Sequence, residues 1–289
     1  MGFSSPGDGG HALDLNAAEA SEQPVTGVAI DYPQGHVVPM HHHRRGHLIY
    51  ADSGLVQVEA PTGQWLVPPT SAVWLRPGVP HRLIIPVASQ ANGIFVREDM
   101  CTRLPTADCV VRVSGLAREL ISRLTDAGNH ENTPRYTQLL GELLIEELHT
   151  TPHLPFHLPW PQDMQIQTVC QTLMSDPGDI ATADDWAGKL AISGKTFHRR
   201  FLKNTGMTFG KWRQQLRLMS SLTLLVQGAP HHSSRAEQRL RQSQCLYDGI
   251  QKTVRAVAIG IYERQAAKHI TPSPGWLETK KSQHVGWLK

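Results

Sequence analysis

The chain has 289 residues, of which 40% are hydrophobic and 18% charged, and its formal net charge is +3. This composition indicates a globular protein long enough for two domains, and it excludes a disordered chain and a histone-like polycation. The 4 cysteines show no C-x-x-C spacing, which favours reduced thiols over a zinc ribbon or a disulfide framework. The N-terminus lacks the apolar core of a signal peptide, so we expect a cytoplasmic protein without membrane contact.

The first predicted domain is a β-rich unit over residues 26–150. Residues 1–25 precede it and are rich in Gly, Ser, Ala and acids without apolar periodicity, which predicts a disordered lead-in. From residue 28 to 96, short β-forming runs alternate with Pro and Gly, the pattern of an antiparallel sandwich or barrel. Chain reversals are expected at Thr62-Gly63 and Pro77-Gly78.

Histidines fall in or beside the predicted strand ends. Side chains alternate along a strand, so His41 and His43 lie on the same side. The predicted effector-binding residues are His41, His43, His47 and His81, whose imidazoles could converge inside a small barrel. The same residues are the candidate ligands if a divalent metal binds, and metal affinity should then fall as the pH drops through the imidazole range.

The spacing from Gly35 to Gly54 resembles the first motif of the cupin family, with His47 where that family has Glu. The segment around His81 resembles the second motif, with Arg76 where that motif prefers Pro. The resemblance implies a small β-barrel with a metal or ligand site. A polar pocket without metal remains the alternative, because the neighbouring Arg44 and Arg45 would repel a cation.

Two helices are expected after the strands, over residues 114–126 and 134–150. The second carries an apolar stripe formed by Leu139, Leu140, Leu143, Leu144, Ile145 and Leu148. The stripe is wider than one core-facing surface needs. It could pair the subunits of a homodimer, or both helices could simply cover the barrel. Residues 151–162 follow and are rich in proline, which excludes a helix and predicts an interdomain linker.

A helical domain is predicted over residues 163–228. It opens with a helix over residues 163–175, whose inward residues are Ile166, Val169, Cys170 and Leu173. Thr182 can cap the next helix with Asp185 returning the bond, residues 191–193 form a turn, and Ser193 caps the following helix. The pattern predicts a helix-turn-helix.

The second helix of this pair has a buried and a basic face. Phe197 and Phe201 lie one turn apart on the buried face, and Gly206 is placed to end the helix. Residues 193–217 contain basic residues and no acid, so the segment can neutralise phosphates. The predicted DNA-binding residues are Lys195, Thr196, His198, Arg199 and Lys203.

The pattern S-x-x-T-F-x-R-x-F-x(4)-G-x-T-F-x-x-W-R-x-x-x-R-L, over residues 193–218, resembles the first half of the AraC/XylS-type DNA-binding domain. The resemblance implies base-reading positions at Lys195, His198 and Arg199, and a linker helix over residues 209–227. An ordinary amphipathic helical hairpin with a solvated basic face is the alternative.

The resemblance stops after Gly228, where a second helix-turn-helix is expected. Codons can be chosen for residues 239–262 so that the same nucleotides, read one base later, encode GYASPSAFMTAFRKRFGQSPSAFM, which resembles that second motif. We therefore predict that residues 229–289 result from a reading-frame shift, form a poorly ordered C-terminus and reduce DNA affinity.

The sequence thus predicts an α+β protein, with an N-terminal antiparallel cupin-like barrel plus two helices and a C-terminal all-α helix-turn-helix domain. The expected function is a transcription regulator that binds double-stranded DNA as a homodimer and responds to a small-molecule effector. A metal-dependent cupin dioxygenase or isomerase is the alternative, although it leaves the basic helix unused. A scaffold that only dimerises would leave both the histidines and the basic helix unused.

Overall fold

The computed structural model describes residues 15–69, 71–126, 134–154 and 156–226, which form an α+β protein. The strands are β1 (Val25–Tyr32), β2 (Val37–His41), β3 (Gly46–Ala60), β4 (Gly63–Val67), β5 (Ser71–Leu75), β6 (His81–Val96), β7 (Cys109–Arg112), β8 (His153–Leu154) and β9 (His157–Pro159). The helices are α1 (Leu15–Ala20), α2 (Gly115–Asp126), α3 (Pro134–His149), α4 (Met164–Ser175), α5 (Ala183–Lys189), α6 (Gly194–Thr205) and α7 (Phe209–Val226), with a 3-10 helix over Glu98–Arg103.

The strands form one antiparallel sheet in the order β1-β6-β3-β5-β7-β8, in which β2 also pairs with β6 and β4 pairs with both β3 and β9. The long strand β3 bends where its register with β6 shifts, between Ala51 and Gln57. Gly54 lies in this bend with a φ of 78°, and a Cβ there would lie 2.3 Å from the Ala88 carbonyl oxygen. The bend lets β3 pair with β5 in its first half and with β4 in its second.

Helices α2 and α3 pack on one face of the sheet. Their buried residues are Ala117, Leu120, Ile121, Leu124, Leu144, Ile145 and Leu148. The Ser114 Oγ accepts a hydrogen bond of 3.0 Å from the Ala117 N–H at the start of α2. The glycine at position 27 of β1 allows α2 to lie close to the strand, because a Cβ there would lie 2.8 Å from the Leu124 carbonyl carbon. Both predicted helices are confirmed to within a residue at each end.

Residues 15–25 differ from the predicted disordered lead-in. They form α1 and the start of β1, and the side chains of Ala18 and Val25 are buried. The Arg45 guanidinium donates to carbonyl oxygens of this segment, including those of Glu19 and Gln23. These hydrogen bonds explain the ordering, which the polar composition of the segment could not predict. Residues 1–14 lie outside the described part of the chain.

The proline-rich residues 151–162 also differ from a free linker. Strand β8 pairs with β7, and β9 pairs with β4 in a register that sets His157 opposite Trp65 and Pro159 opposite Gly63. Phe156 beside β9 is fully buried. Helix is excluded here as predicted, and two short strands of the segment join the sheet.

The C-terminal helices begin and end at the predicted residues. Asp163 caps α4, Thr182 and Asp185 form a capping box on α5, and Ser193 caps α6. Gly206 ends α6 with a φ of 69°. The buried aromatic and aliphatic side chains that join these helices are Ile166, Val169, Cys170, Leu173, Trp186, Phe197, Phe201, Phe209 and Trp212.

The predictions for residues 229–289 fall outside the described residues. Within the described ranges, Cys101, Cys109 and Cys170 are free thiols. None of the helices in those ranges is both long and apolar enough to cross a membrane.

Candidate functional site

The structure brings the four predicted histidines together. His41 ends β2 opposite His81, the first residue of β6, in a pair that follows a register irregularity in β2. His47 lies near the start of β3, and the connection between β2 and β3 carries His43. The ring centroids of His41 and His81 lie 4.4 Å apart, and those of His43 and His47 lie 4.7 Å apart.

Turns and glycines place these rings. Gly78, with a φ of 77°, reverses the chain before β6, and its N–H donates to the His43 carbonyl oxygen at 2.8 Å. His47 stacks on Phe95 with ring centroids 4.4 Å apart. Its Nε2 would lie 3.0 Å from a Cβ at Gly93, so a residue with a side chain there would crowd the imidazole.

Each imidazole has a partner that fixes its orientation. The Nδ1 atoms of His41 and His81 lie 2.7 Å and 2.9 Å from the carbonyl oxygens of Pro39 and Val79. The Nδ1 of His43 lies 2.9 Å from a carboxylate oxygen of Glu19. The Nδ1 of His47 lies 3.3 Å from the Nε2 of His81. One ligand atom from each of His41, His43 and His81 lies within 4.8 Å of the others.

Burial favours the neutral form of the His43, His47 and His81 imidazoles. Desolvation, with smaller contributions from neighbouring histidines, lowers the pKa of His43 to about 3. Desolvation also lowers the pKa of His81 to about 4, although a hydrogen bond to the Val79 carbonyl opposes that shift. The pKa of His47 is lowered by desolvation and by the adjacent histidines. Neutral rings can act as metal ligands or hydrogen-bond acceptors near neutral pH.

A small cavity of about 30 Å³ lies beside the histidines. Its other walls are largely apolar and are formed by residues such as Ile30, Tyr32, Leu83 and Phe95. Organic ligands usually occupy cavities of about 300 Å³ or more. The volume therefore suits an ion or one or two water molecules in the conformation described.

A wider, open groove of about 350 Å³ lies between the N-terminal segment and α3. Glu22, Arg97, Arg135 and Glu142 are among its lining residues. The groove has the volume that an organic effector needs, and charged side chains of both signs line it. The walls of the groove come from distant segments of the chain, so no local sequence pattern indicates it.

Glu19, Arg45 and Phe95 were missed as site residues. The Arg44 N–H donates to the other Glu19 carboxylate oxygen at 3.2 Å. Arg45 was expected beside Arg44 as part of a cation-repelling pair, but it is buried and directed toward backbone carbonyls of the N-terminal segment. Glu19 lies in a polar segment without periodicity, so no sequence signal could have placed it beside His43.

The second candidate surface is the exposed face of α6. Lys195, His198, Arg199 and Lys203 are exposed there, opposite the fully buried Phe197 and Phe201. Thr196 is half-buried, and its hydroxyl lies 2.9 Å from the hydroxyl of Ser193. The predicted DNA-binding residues thus lie on one side of α6, and all of them except Thr196 are exposed.

Other basic residues of the segment over residues 193–217 have partners inside the protein. Arg200 donates to the Asp163 carboxylate and to the Gln165 side chain. Arg213 and Arg217 donate to backbone carbonyls, with Ala181 accepting from Arg213 and Pro177 and Asp179 accepting from Arg217. These three arginines support the helical fold. The number of basic residues in residues 193–217 therefore overstates the positive charge that faces outward.

Comparison with known proteins identifies the class. Residues 24–91 match the family described as AraC-like ligand binding domain. The chain is 32% identical over 221 residues to the HTH-type transcriptional regulator NimR of Escherichia coli (strain K12), covering 75% of this chain and 81% of that protein. It is 34% identical over 68 residues to the HTH-type transcriptional regulator RipA of Corynebacterium glutamicum, covering 24% of this chain and 20% of that protein.

These matches define a transcriptional regulator with an N-terminal sensor domain. The chain belongs to the AraC family of such regulators. Among solved structures, ToxT of Vibrio cholerae O395 covers 75% of this chain and 88% of its own, with 11% identity and a TM-score of 0.33. Both named relatives are regulators, which favours regulation over the alternative of a cupin enzyme.

Proposed function

We propose that the chain is a cytoplasmic, sequence-specific DNA-binding regulator. In this proposal, residues 26–150 form a cupin-like sensing and dimerisation domain, residues 151–162 connect the two parts, and residues 163–228 form the first half of an AraC-type helix-turn-helix domain. The exposed basic face of α6, opposite its buried aromatic face, is the observation that carries the proposal.

The recognition geometry follows from the capping of α6. Ser193 fixes the N-terminus of the helix through the Thr196 N–H, so the first turns project as one rigid element. In the proposed complex, Lys195, His198 and Arg199 reach base edges in the major groove. Lys203 lies further along the helix and contacts phosphate. The exposed residues of α6 therefore separate into base readers and one backbone contact.

Arg199→Ala should weaken specific DNA binding by about 1 to 3 kcal/mol and relax base preference, because a bidentate contact to a base is lost. Lys203→Ala should weaken specific and random duplexes alike and reduce the salt slope by about 1. Fluorescence anisotropy on a selected operator and on a random duplex measures both effects. Arg118→Ala removes an exposed charge of α2 and serves as the matched control.

Equal losses of affinity on the two duplexes for Arg199→Ala would overturn its role as a base reader. A loss of the same size for Arg118→Ala would show that net charge alone controls binding. The operator for these measurements is selected from a randomised duplex library.

The altered sequence after Gly228 is proposed to impair DNA binding. Residues 229–289 lie outside the described residues, and the proposal depends on the hidden peptide in the next reading frame. Sequencing the gene tests it directly. The codons for residues 239–262 must spell that peptide one base later, and any other codon choice excludes the frame shift.

Dimerisation is proposed to use the outer face of α3. Leu139 and Leu143 lie one turn apart on that face and are 48% and 46% exposed, whereas Leu144 and Leu148 face the sheet. The apolar stripe is thus divided between an internal and an external surface. Exposed leucines at this spacing can pair two copies of the helix.

Leu139→Glu combined with Leu143→Glu should weaken the dimer by at least about 100-fold, since each leucine is buried on both protomers at about 1.5 to 3 kcal/mol apiece. Sedimentation equilibrium measures the dissociation constant. Met164→Glu is the matched control, because Met164 is an exposed apolar residue on α4. A dimer that survives the double change would place the interface elsewhere.

The effector is proposed to act at the histidine cluster of His41, His43, His47 and His81. A small organic molecule would need an opening wider than the cavity of about 30 Å³ beside the cluster. An ion would fit without rearrangement. In the conformation described, the cavity therefore fits a ligand small enough to bind the imidazoles directly.

A further inference from the structure

We propose that the groove of about 350 Å³ between the N-terminal segment and α3 binds a short zwitterionic peptide of two or three residues. In this assignment Arg135 holds the carboxylate of the ligand and Glu142 holds its ammonium group. The site goes beyond the regulator function above, because none of its lining residues belongs to the histidine cluster or to α6.

One wall of the groove is the backbone of Glu22, Gln23 and Pro24, which two arginines hold in place. The Arg97 N–H donates to the Pro24 carbonyl oxygen at 2.9 Å, and the Arg97 guanidinium donates to that of Glu22 at 3.1 Å. The Arg45 guanidinium donates to the Gln23 carbonyl oxygen at 2.8 Å. Three successive carbonyl groups are thus fixed, so this wall is formed before a ligand arrives.

The opposite wall is α3, which lies close to β1 at Gly141. A Cβ at position 141 would lie 2.7 Å from the Cβ of Val25, so a larger residue would push the helix away from the strand. The buried side chains of Leu144, Ile145 and Leu148 hold α3 in the core. Packing therefore sets the distance between the two walls, and the charged side chains in the groove are left to contact a ligand.

The two arginines that line the groove differ in their partners. The Arg97 guanidinium donates to both carboxylate oxygens of Asp99, at 2.7 Å and 2.8 Å, in addition to the Glu22 carbonyl. Arg135 is exposed in the first turn of α3 and forms no hydrogen bond or ion pair with the other described residues. The positive end of the helix dipole lies at the same turn and favours an anion there. Arg135 is therefore the cation available to a carboxylate.

Glu142 is the matching anion. It is half-buried, and one of its carboxylate oxygens accepts a hydrogen bond of 2.8 Å from the Gln138 Nε2. This bond orients the carboxylate, and the other oxygen accepts no hydrogen bond within the described part of the chain. Seven residues separate Arg135 from Glu142, which is about 10 Å along the helix axis at the usual rise per residue.

The charges and their separation select the ligand. The charged residues of the lining are two arginines and two glutamates, so a zwitterion suits the groove better than an ion of one sign. The two charges of a free α-amino acid are attached to one carbon and lie too close together to meet both side chains. An extended peptide spans about 3.3 to 3.6 Å per residue, so the termini of two or three residues match the separation.

The remaining lining residues and the volume agree with a peptide. Pro24, Met100 and Pro134 give the groove apolar surface on which the side chains of a peptide can pack. The volume of about 350 Å³ lies in the range of small-molecule sites.

The test is titration calorimetry of the full-length protein with trialanine as the probe. We expect one site per chain and weaker binding at high salt, because the terminal contacts are ionic. N-acetyl-trialanine lacks the ammonium group and trialanine amide lacks the carboxylate. Each should bind about 10-fold or more weakly than trialanine, since one charge-assisted contact is lost. Free alanine should give no measurable binding.

Variants assign each terminus to its side chain. Arg135→Gln should weaken trialanine binding by about 10-fold or more and remove the preference for trialanine over its amide. Glu142→Gln should remove the preference over N-acetyl-trialanine. Arg118→Gln and Glu119→Gln, exposed changes of the same kind on α2, are the matched controls and should leave binding unchanged. Circular dichroism confirms that the variants are folded.

An absence of trialanine binding to the wild-type protein would overturn the site. Unchanged binding in Arg135→Gln, or equal losses in Arg135→Gln and Arg118→Gln, would show that the peptide does not bind in this groove. If N-acetyl-trialanine bound as tightly as trialanine, the role of Glu142 would be wrong and the ligand would be a simple carboxylate instead of a zwitterion.

Discussion

Trp212→Ala is expected to lower the free energy of unfolding by about 3 to 5 kcal/mol, the range for removing a large aromatic side chain from a core. Trp212 of α7 is fully buried. Its Nε1–H donates to the Pro159 carbonyl oxygen at 3.1 Å, and its ring meets that of Phe201 edge-to-face at 6.0 Å. Urea denaturation followed by circular dichroism measures the loss.

Two further variants separate the causes. Trp212→Phe keeps most of the apolar volume but leaves the Pro159 carbonyl without its donor, so we expect a smaller loss than for alanine. Leu202→Ala removes a side chain that is 48% exposed on α6 and should change stability little. If Trp212→Ala and Leu202→Ala proved equally mild, α7 would not be packed on β9 as described.

A variant whose codons from residue 229 onward are translated in the other frame should bind the operator about 100-fold or more tightly than the 289-residue chain. The hidden peptide resembles a second helix-turn-helix, which would add a second set of phosphate and base contacts. The dependence of affinity on salt concentration should also become steeper, because more counterions are released. Anisotropy titrations at two or more salt concentrations measure both quantities.

A chain ending at Gly228 is the matched control. It lacks both versions of the C-terminal segment, so it should bind the operator about as weakly as the 289-residue chain if residues 229–289 contribute nothing. If the restored chain binds no more tightly than the truncated one, the loss of affinity assigned to the altered segment is wrong.

The helical part was largely predictable because its signals are local. Thr182, Ser193 and Gly206 act within one turn of the helix ends that they define. The spacing of Phe197 and Phe201 likewise indicates the buried face of α6 directly. What the local pattern could not show is which arginines are free, since Arg200 reaches Asp163 from a distant part of the chain.

The histidine cluster was predictable from spacing, but its ligand chemistry was not. Strand alternation and the turn before His81 suggested that the rings converge. The Nδ1 contacts of His41 and His81 depend on the Pro39 and Val79 carbonyls, whose positions only the folded chain defines. Glu19 comes from a segment that is ordered by Arg45, a contact across more than twenty residues that no periodicity encodes.

The prolines of residues 151–162 are a signal for what the segment cannot form. Proline excludes helix but is compatible with short edge strands, and β9 is one of these. Phe156 itself was the relevant sequence signal, because a connector exposed to water has little reason to carry a large aromatic side chain, and the structure buries it.

Strand β9 contacts both the sheet and helix α7. One edge of the strand pairs with β4 through three residue pairs, and on its other side Trp212 and Gln215 of α7 donate to the Pro159 and His157 carbonyls. Rotation of the helices relative to the sheet would have to break this ladder or these side-chain bonds. The connection between the sheet and α7 is therefore expected to be stiff, so that the two parts move as one body.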